Sequence, residues 1–240
     1  MSPHSISNYD QRRVATLCAN IAAATSLLLA IPVAHAGRYE LVKGKGVEVC
    51  EAYATNLNSF QPSEPMVCDR PVSPRFKDLR KPKWERLDFD RNLGLIVTVD
   101  KLLRPKYFAN PEERVPSLRG NVEQDNYKYQ LMIIDVDNDG KAEPVLRFVE
   151  SCWPGSPRLG GAALVVLQQG KNDVDLKKSQ LLAEGNLENY DNGIRDVFLH
   201  KGKTYFDIWF FRVVNRGQLH VMLTEGAETR EICKLQFQLQ

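Results

Sequence analysis

Beyond Gly120 the chain breaks into short apolar runs, each closed by a turn signal, and this pattern constrains the fold more than any other feature. The runs are 126–135 (NYKYQLMIID), 144–152 (PVLRFVESC), 162–168 (AALVVLQ), 195–200 (RDVFLH), 204–211 (TYFDIWFF), 218–223 (QLHVML) and 230–239 (REICKLQFQL). They read as β-strands. Turns as short as Lys201-Gly202 and Glu225-Gly226 force the strands they join to lie antiparallel. In the last run Cys233, Leu235, Phe237 and Leu239 alternate with Ile232, Lys234, Gln236 and Gln238, so one face is expected in the core. No repeat of fixed period emerges.

The first half reads differently. Tyr39–Lys43 forms a short strand, ending at Gly44-Lys45-Gly46, and Val47–Ser59 carries Val49, Cys50, Tyr53, Ala54 and Leu57 at helical spacing. The two glycines lack the GKS or GKT ending of a phosphate loop and serve as a flexible lead into that helix. Residues 60–88 hold Pro62, Pro65, Pro71, Pro74 and Pro82, too closely spaced for a helix, and form a strap pinned by Phe76 and Trp84. Phe89–Leu103 fits helix and strand periods alike; the helix is preferred, capped by Asp88 and stopped by Pro105. A loop through Asn110-Pro111 and Pro116 follows to Gly120, and Leu176–Ala183 supplies one or two helical turns. The expected fold is α+β: a single domain over 37–240, its N-terminal helical part (about 37–120) packed on a mainly antiparallel sheet or meander (about 121–240).

Residues 1–36 read as a cleavable export signal, with Arg12 and Arg13, an apolar run from Val14 to Val33 and a small-x-small ending at Ala34-His35-Ala36. A retained membrane anchor is the alternative, and the Ala-rich run with its cleavage ending favours removal before Gly37. The product is expected to be periplasmic or secreted and off the membrane. The 32 basic and 30 acidic residues nearly balance, which gives no long-range field for nucleic acid or anionic membranes. Outside the signal stand Cys50, Cys68, Cys152 and Cys233, an even set in a chain bound for an oxidising compartment. Two disulfides are expected. Proximity favours Cys50 with Cys68, leaving Cys152 with Cys233; a zinc site lacks any CxxC spacing and any paired histidine.

One turn stands apart from the others. Between the first two runs lies DVDNDGKAE, residues 135–143, with Asp135, Asp137 and Asp139 at alternate positions ahead of Gly140. Like charges this close repel unless a cation sits between them. Calcium takes six to eight hard oxygens, and Asp135, Asp137, Asp139, the backbone carbonyl of Lys141 and Glu143 fall at the spacing of a tight calcium loop. The twelfth position is Leu146 and the flanks are strand-like, so the loop is no EF-hand. A metal-free Asn138-Asp139-Gly140 turn is the plainer alternative, but it leaves Asp135, Asp137 and Glu143 unexplained. The pattern DxDxDGxxE between strands is similar to the calcium loops of FG-GAP, VCBS and integrin-type propeller repeats. That resemblance covers residues 127–151 and implies a structural Ca2+ held by Asp135, Asp137, Asp139 and Glu143, with no adhesive function carried over. The segments ELVKGKGVEVCEAY, KGKTYFDIWFF and REICKLQF also resemble exported bacterial proteins, which implies no activity.

Catalytic groups are sparse. His200 beside its turn is expected to be exposed, and His220 to project from a sheet face, neither with a neighbouring nucleophile. Neither GxSxG nor HExxH occurs. Glu188, Asp191 and Asp196 offer an acid pair or a second ion site, and a polar loop is the simpler reading. Trp153, Trp209, Phe210 and Phe211 suit a carbohydrate or peptide groove as well as a core. The expectation is therefore an exported, non-catalytic protein with a structural calcium loop. One rival is a binding module for an envelope polymer or protein, using the aromatic face or the basic strap around Arg80, Lys81 and Lys83. Another is a calcium-dependent hydrolase.

Overall fold

Alternating side chains on paired strands produce a sheet with two apolar faces, and helices seal its outer sides. The computed structural model describes residues 37–108, 110–150, 161–170, 173–183, 187, 193–210 and 217–239. The signal segment, Cys152, Trp153, Glu188, Asp191 and Phe211 lie outside these residues. The strands are β1 (Gly37–Lys43), β2 (Leu79–Arg80), β3 (Glu85–Arg86), β4 (Tyr127–Ile134), β5 (Glu143–Glu150), β6 (Ala162–Val166), β7 (Gly193–His200), β8 (Lys203–Phe210), β9 (Gln218–Glu225) and β10 (Glu228–Leu239). The helices are α1 (Glu48–Asn58), α2 (Leu93–Leu103), α3 (Pro111–Glu123) and α4 (Leu176–Leu182). All of them belong to one compact unit, Ala36–Gln240. Among the described residues no helix is long and apolar enough to cross a membrane.

The sheet runs β1-β10-β9-β8-β7-β6-β5-β4-β3, with β2 added to β7. Every pairing is antiparallel except β6–β7, which meet in parallel through Ala162 and Ile194. The sheet is thus two antiparallel meanders joined at a narrow seam. Their inner faces share one apolar cluster, where Ile134, Val145 and Leu164 of the first meet Val197, Phe206 and Met222 of the second. Helices α2 and α3 cover the outer face of the first meander, packing Ile96, Val99 and Leu118 on Tyr129, Phe148 and Val165. Helix α1 covers the outer face of the second, with Tyr53 stacked on Phe198 at 4.1 Å between ring centres. Each fully buried side chain of this size contributes about 1.5–3 kcal/mol relative to exposure.

The inner face of α1, Val49, Cys50, Tyr53, Ala54 and Leu57, is buried as its spacing predicts. The strands also fall close to the predicted runs. The division into helical N-terminal and sheet C-terminal parts is not clear-cut: three helices lie before residue 124, but β1 is hydrogen-bonded to the last strand β10, from Gly37 opposite Leu239 onward, and α4 lies in the later half. Helix α2 begins at Leu93, not Phe89; Asp88 instead accepts the Arg91 N–H at 2.9 Å in the turn before it. The expected loop before Gly120 contains α3. Pro111 sits at its start, where no N–H partner is needed, whereas Pro116 lies inside the helix and costs it a hydrogen bond, and the helix runs on through it with Leu118 and Val122 packed in the core. On β10 the buried face ends early: Cys233 and Leu235 are fully buried, whereas Leu239 is 72% exposed.

The cysteine pairing also departs from proximity. Cys50 bonds Cys233, with Cα atoms 5.7 Å apart and 183 residues between them. Cys68 is in a disulfide too, to a partner outside the described residues. The reason lies in the turn from β1 into α1. Gly44 adopts φ +87°, and a Cβ there would stand 2.6 Å from the Ile232 carbonyl oxygen and 2.9 Å from Cys50 Sγ. That close approach lays the first turn of α1 directly on β10. Replacing Cys50 and Cys233 together by alanine is expected to cost about 2–5 kcal/mol in urea unfolding, since the bridge closes a very long loop. Non-reducing peptide mapping should find the two cysteines linked.

Candidate metal centre

Strands β4 and β5 end and begin opposite one another, Ile134 across from Glu143, so residues 135–142 must turn within a narrow span. Asn138 (φ 54°) and Gly140 (φ 90°) take left-handed backbone to do so. Asp135 organises the turn by accepting the Asp139 N–H at 3.0 Å and the Gly140 N–H at 2.9 Å. Asp139 accepts the Lys141 N–H at 2.8 Å, and Glu143 accepts the Val136 N–H at 3.2 Å.

Asn138 does more than turn the chain. Its amide donates to the carbonyls of Thr204 (3.0 Å) and Thr224 (2.9 Å), and its side-chain oxygen accepts the Thr204 N–H at 2.8 Å. The Asp137 carbonyl accepts the Gly226 N–H at 2.8 Å. The loop is thereby stapled to β8 and β9 of the other meander, and Asp137 is turned inward, 3% exposed. This staple is absent from the sequence reading, because the threonine partners lie 66 and 86 residues away.

Ligand oxygens of Asp135, Asp137 and Glu143 lie within 4.8 Å of one another. Asp139 stays at the rim, with its side chain 33% exposed, and Lys141 is exposed. Among these oxygens sits the Lys178 ammonium, 2.7 Å from Asp137 Oδ2, 2.5 Å from Glu143 Oε1 and 3.8 Å from Asp139 Oδ2. Lysine 178 projects from α4, whose start is fixed by Asp175 accepting the Lys178 N–H at 3.0 Å. Ser179 ties the same helix to β6, accepting the Val166 N–H at 2.9 Å. Burial works against the charged ammonium, and the hydrogen bonds and charges of Asp137 and Glu143 outweigh it, so its pKa is raised above the usual lysine value. A pKa raised in this way leaves the stabilisation complete at neutral pH, to be lost only in strong alkali. One ammonium does not satisfy the cluster. Asp137 Oδ1 is buried with no hydrogen-bond partner among the described residues. No sequence signal marks Lys178, one of two adjacent lysines in a short helix.

The other candidate residues are placed structurally. Asp196 and Asp207 stand opposite each other on β7 and β8, both with side chains wholly buried. Burial pushes Asp196 up, but Lys81, Arg70 and Arg147 together hold it below the usual carboxylate range. Burial prevails at Asp207, which is raised despite Arg70. Opposed shifts mark acid–base pairs in enzymes, yet here every contact is internal: Arg147 and Lys81 bind Asp196, while Arg70 and Tyr53 bind Asp207. Lys81 is therefore committed to the interior, leaving Arg80 and Lys83 exposed on the strap. Phe76 and Trp84 pack against the two clusters that involve the second meander. Trp209 is core, 4% exposed.

His200 is buried, not exposed, because β2 pairs across it through Leu79. His220 is buried too, its Nδ1 2.5 Å from Glu231 and its Nε2 without a partner among the described residues. Burial lowers its pKa; Glu231 pulls the other way, and Lys234 and Lys43 add to the lowering.

By architecture the chain is a mixed α+β protein dominated by a mostly antiparallel sheet, with an acid-lined hairpin loop closed by a lysine. No protein-family model, curated protein or solved structure matches it.

Two outcomes are expected from these contacts. Asn138→Ala, which removes the bonds to the Thr204 N–H and to the Thr204 and Thr224 carbonyls, should cost about 1–3 kcal/mol in denaturant unfolding. A lowered histidine pKa means that the unfolded chain binds the proton more readily, so stability falls as pH drops through the ordinary histidine value of about 6.5. Between pH 7.5 and 5.5 the native protein should lose more stability than His220→Gln, read from melting midpoints.

Proposed function

We propose that this chain is an exported, non-catalytic protein whose β4–β5 loop, tied to the second meander by Asn138, binds one structural calcium ion. The observation that carries the reading is the convergence of half-buried Asp135 with buried Asp137 and Glu143, with one Asp137 oxygen left without a partner among the described residues. The donors are hard oxygens with no imidazole or thiolate among them, which suits calcium better than zinc or copper. Asp139 and the Lys141 carbonyl, at the loop's outer side, complete the ligand set that the DxDxDGxxE pattern implies. Such a site in an extracellular module binds with a dissociation constant of roughly 0.1–1 mM.

Export is supported by the basic, apolar and small-residue succession of residues 1–36 and by the Cys50–Cys233 disulfide, a bond of oxidising compartments. The non-catalytic reading rests on the two histidines and the Asp196–Asp207 pair being engaged in internal packing and ion pairs. In chelator-treated protein, adding calcium to about ten times its dissociation constant should stabilise the native chain by about 1.4 kcal/mol, a rise of a few degrees in melting midpoint. Asp137→Ala should show no such rise. Equal shifts in both proteins would overturn the reading.

A further inference from the structure

We propose that Lys178 is a built-in counter-cation of the acidic loop, competing with the metal ion, so that calcium binding expels its ammonium into solvent. The inference rests on the calcium reading above and concerns how that site is regulated. Three observations carry it.

First, the ammonium occupies the oxygens a metal needs. It binds Asp137 Oδ2 and Glu143 Oε1 at 2.7 and 2.5 Å, and those residues with Asp135 form the convergent set. A divalent ion coordinating the same oxygens at about 2.3–2.6 Å would stand within a few ångströms of the ammonium. Two cations that close repel strongly in a half-buried setting. The lysine and the metal therefore exclude each other.

Second, the lysine has a way out and its anchor does not move with it. Its side chain is 26% exposed, against 5% for Asp137 and 11% for Glu143. Helix α4 is held to the sheet by Ser179 and by buried Leu182, not by the ammonium. A change of side-chain rotamer is enough to release the site, with no rearrangement of the fold.

Third, the lysine neutralises the cluster only in part. The Asp137 Oδ1 atom, on the carboxyl group the ammonium already holds, is buried and unpartnered among the described residues. One positive charge also serves a loop of four carboxylates, reaching Asp137, Asp139 and Glu143 within 4 Å and leaving Asp135 to the loop's own N–H groups. A buried carboxylate without a counter-charge is costly, so a resident ammonium lets the loop fold before metal arrives, while the residual demand leaves room for a divalent ion. Apparent calcium affinity is reduced by the work of displacing the lysine.

Calcium binding by the chelator-treated full chain, measured by calorimetric titration, tests the competition in the native protein, Lys178→Gln and Lys178→Met. Loss of the lysine should tighten binding about tenfold or more. It should also lower the melting midpoint of the metal-free form. Binding by both forms with equal affinity overturns the role of Lys178 and leaves the calcium reading standing. Binding by the variants alone supports the lysine as occupant and overturns the calcium reading for the native chain. Binding by neither overturns both. Lysine labelling of the native protein by reductive methylation needs no variant: calcium should raise the modification rate at Lys178 several-fold while Lys177 changes little. A calcium-stabilised protein with unchanged Lys178 labelling would refute the displacement.

Discussion

The Arg70 guanidinium has no exposure to solvent. A charge so placed is tolerated only if its donors are taken, and they are. Asp207 accepts from Nε at 2.9 Å and from a terminal nitrogen at 2.5 Å, the Ile194 carbonyl accepts at 3.1 Å, and the carbonyls of Met66 and Val67 accept the rest. Tyr53 of α1 closes the other oxygen of Asp207. One ion pair thus joins the proline-rich strap, α1, β7 and β8. Its formation requires that the strap lie under the helix, because removing either charge leaves the other buried alone. The covering of the second meander by strap and helix depends on this match.

The same rule recurs across the molecule. Asp100 on α2, 1% exposed, is held by Arg104 of its own helix and by Arg114 of α3 at 2.7 Å, which ties the two helices that cover the first meander. Asp196 takes Arg147 of β5 and Lys81 of the strap, bracing the seam between meanders. The acidic loop takes Lys178 from α4. In each case a carboxylate on one element is matched by a cation from another, so charge neutralisation adds a demand for specific partners to the apolar contacts that join the elements. The loop differs from the others in having more acid than base, and that excess is what makes it a candidate for a mobile ion while the rest are structural.

Much of this was legible from residues alone. The helical spacing of Val49, Cys50, Tyr53 and Leu57 gave the buried face of α1, and alternation with short turns gave β7 to β10 as antiparallel neighbours. The acid spacing at 135, 137 and 143 located the convergent cluster. Proline 116 misled because α3 runs through it despite the lost hydrogen bond, with Leu118 and Val122 packed in the core of the first meander, and Asp88 misled because its side chain caps the turn before α2. Sequence proximity misplaced Cys50, whose partner is set by Gly44 pressing the α1 turn against β10.

Local chemistry fixed what a few consecutive residues decide among themselves: strand or helix, the direction of short turns, and four carboxylates crowded into one loop. Tertiary structure alone decided the partners, namely Cys233 for Cys50, Asp207 for Arg70, Thr204 and Thr224 for Asn138, and Lys178 for Asp137 and Glu143. The reason is that a periodicity or a turn is written within one segment, whereas a counter-charge or a bridging sulfur arrives from a segment whose distance along the chain carries no information about its distance in space.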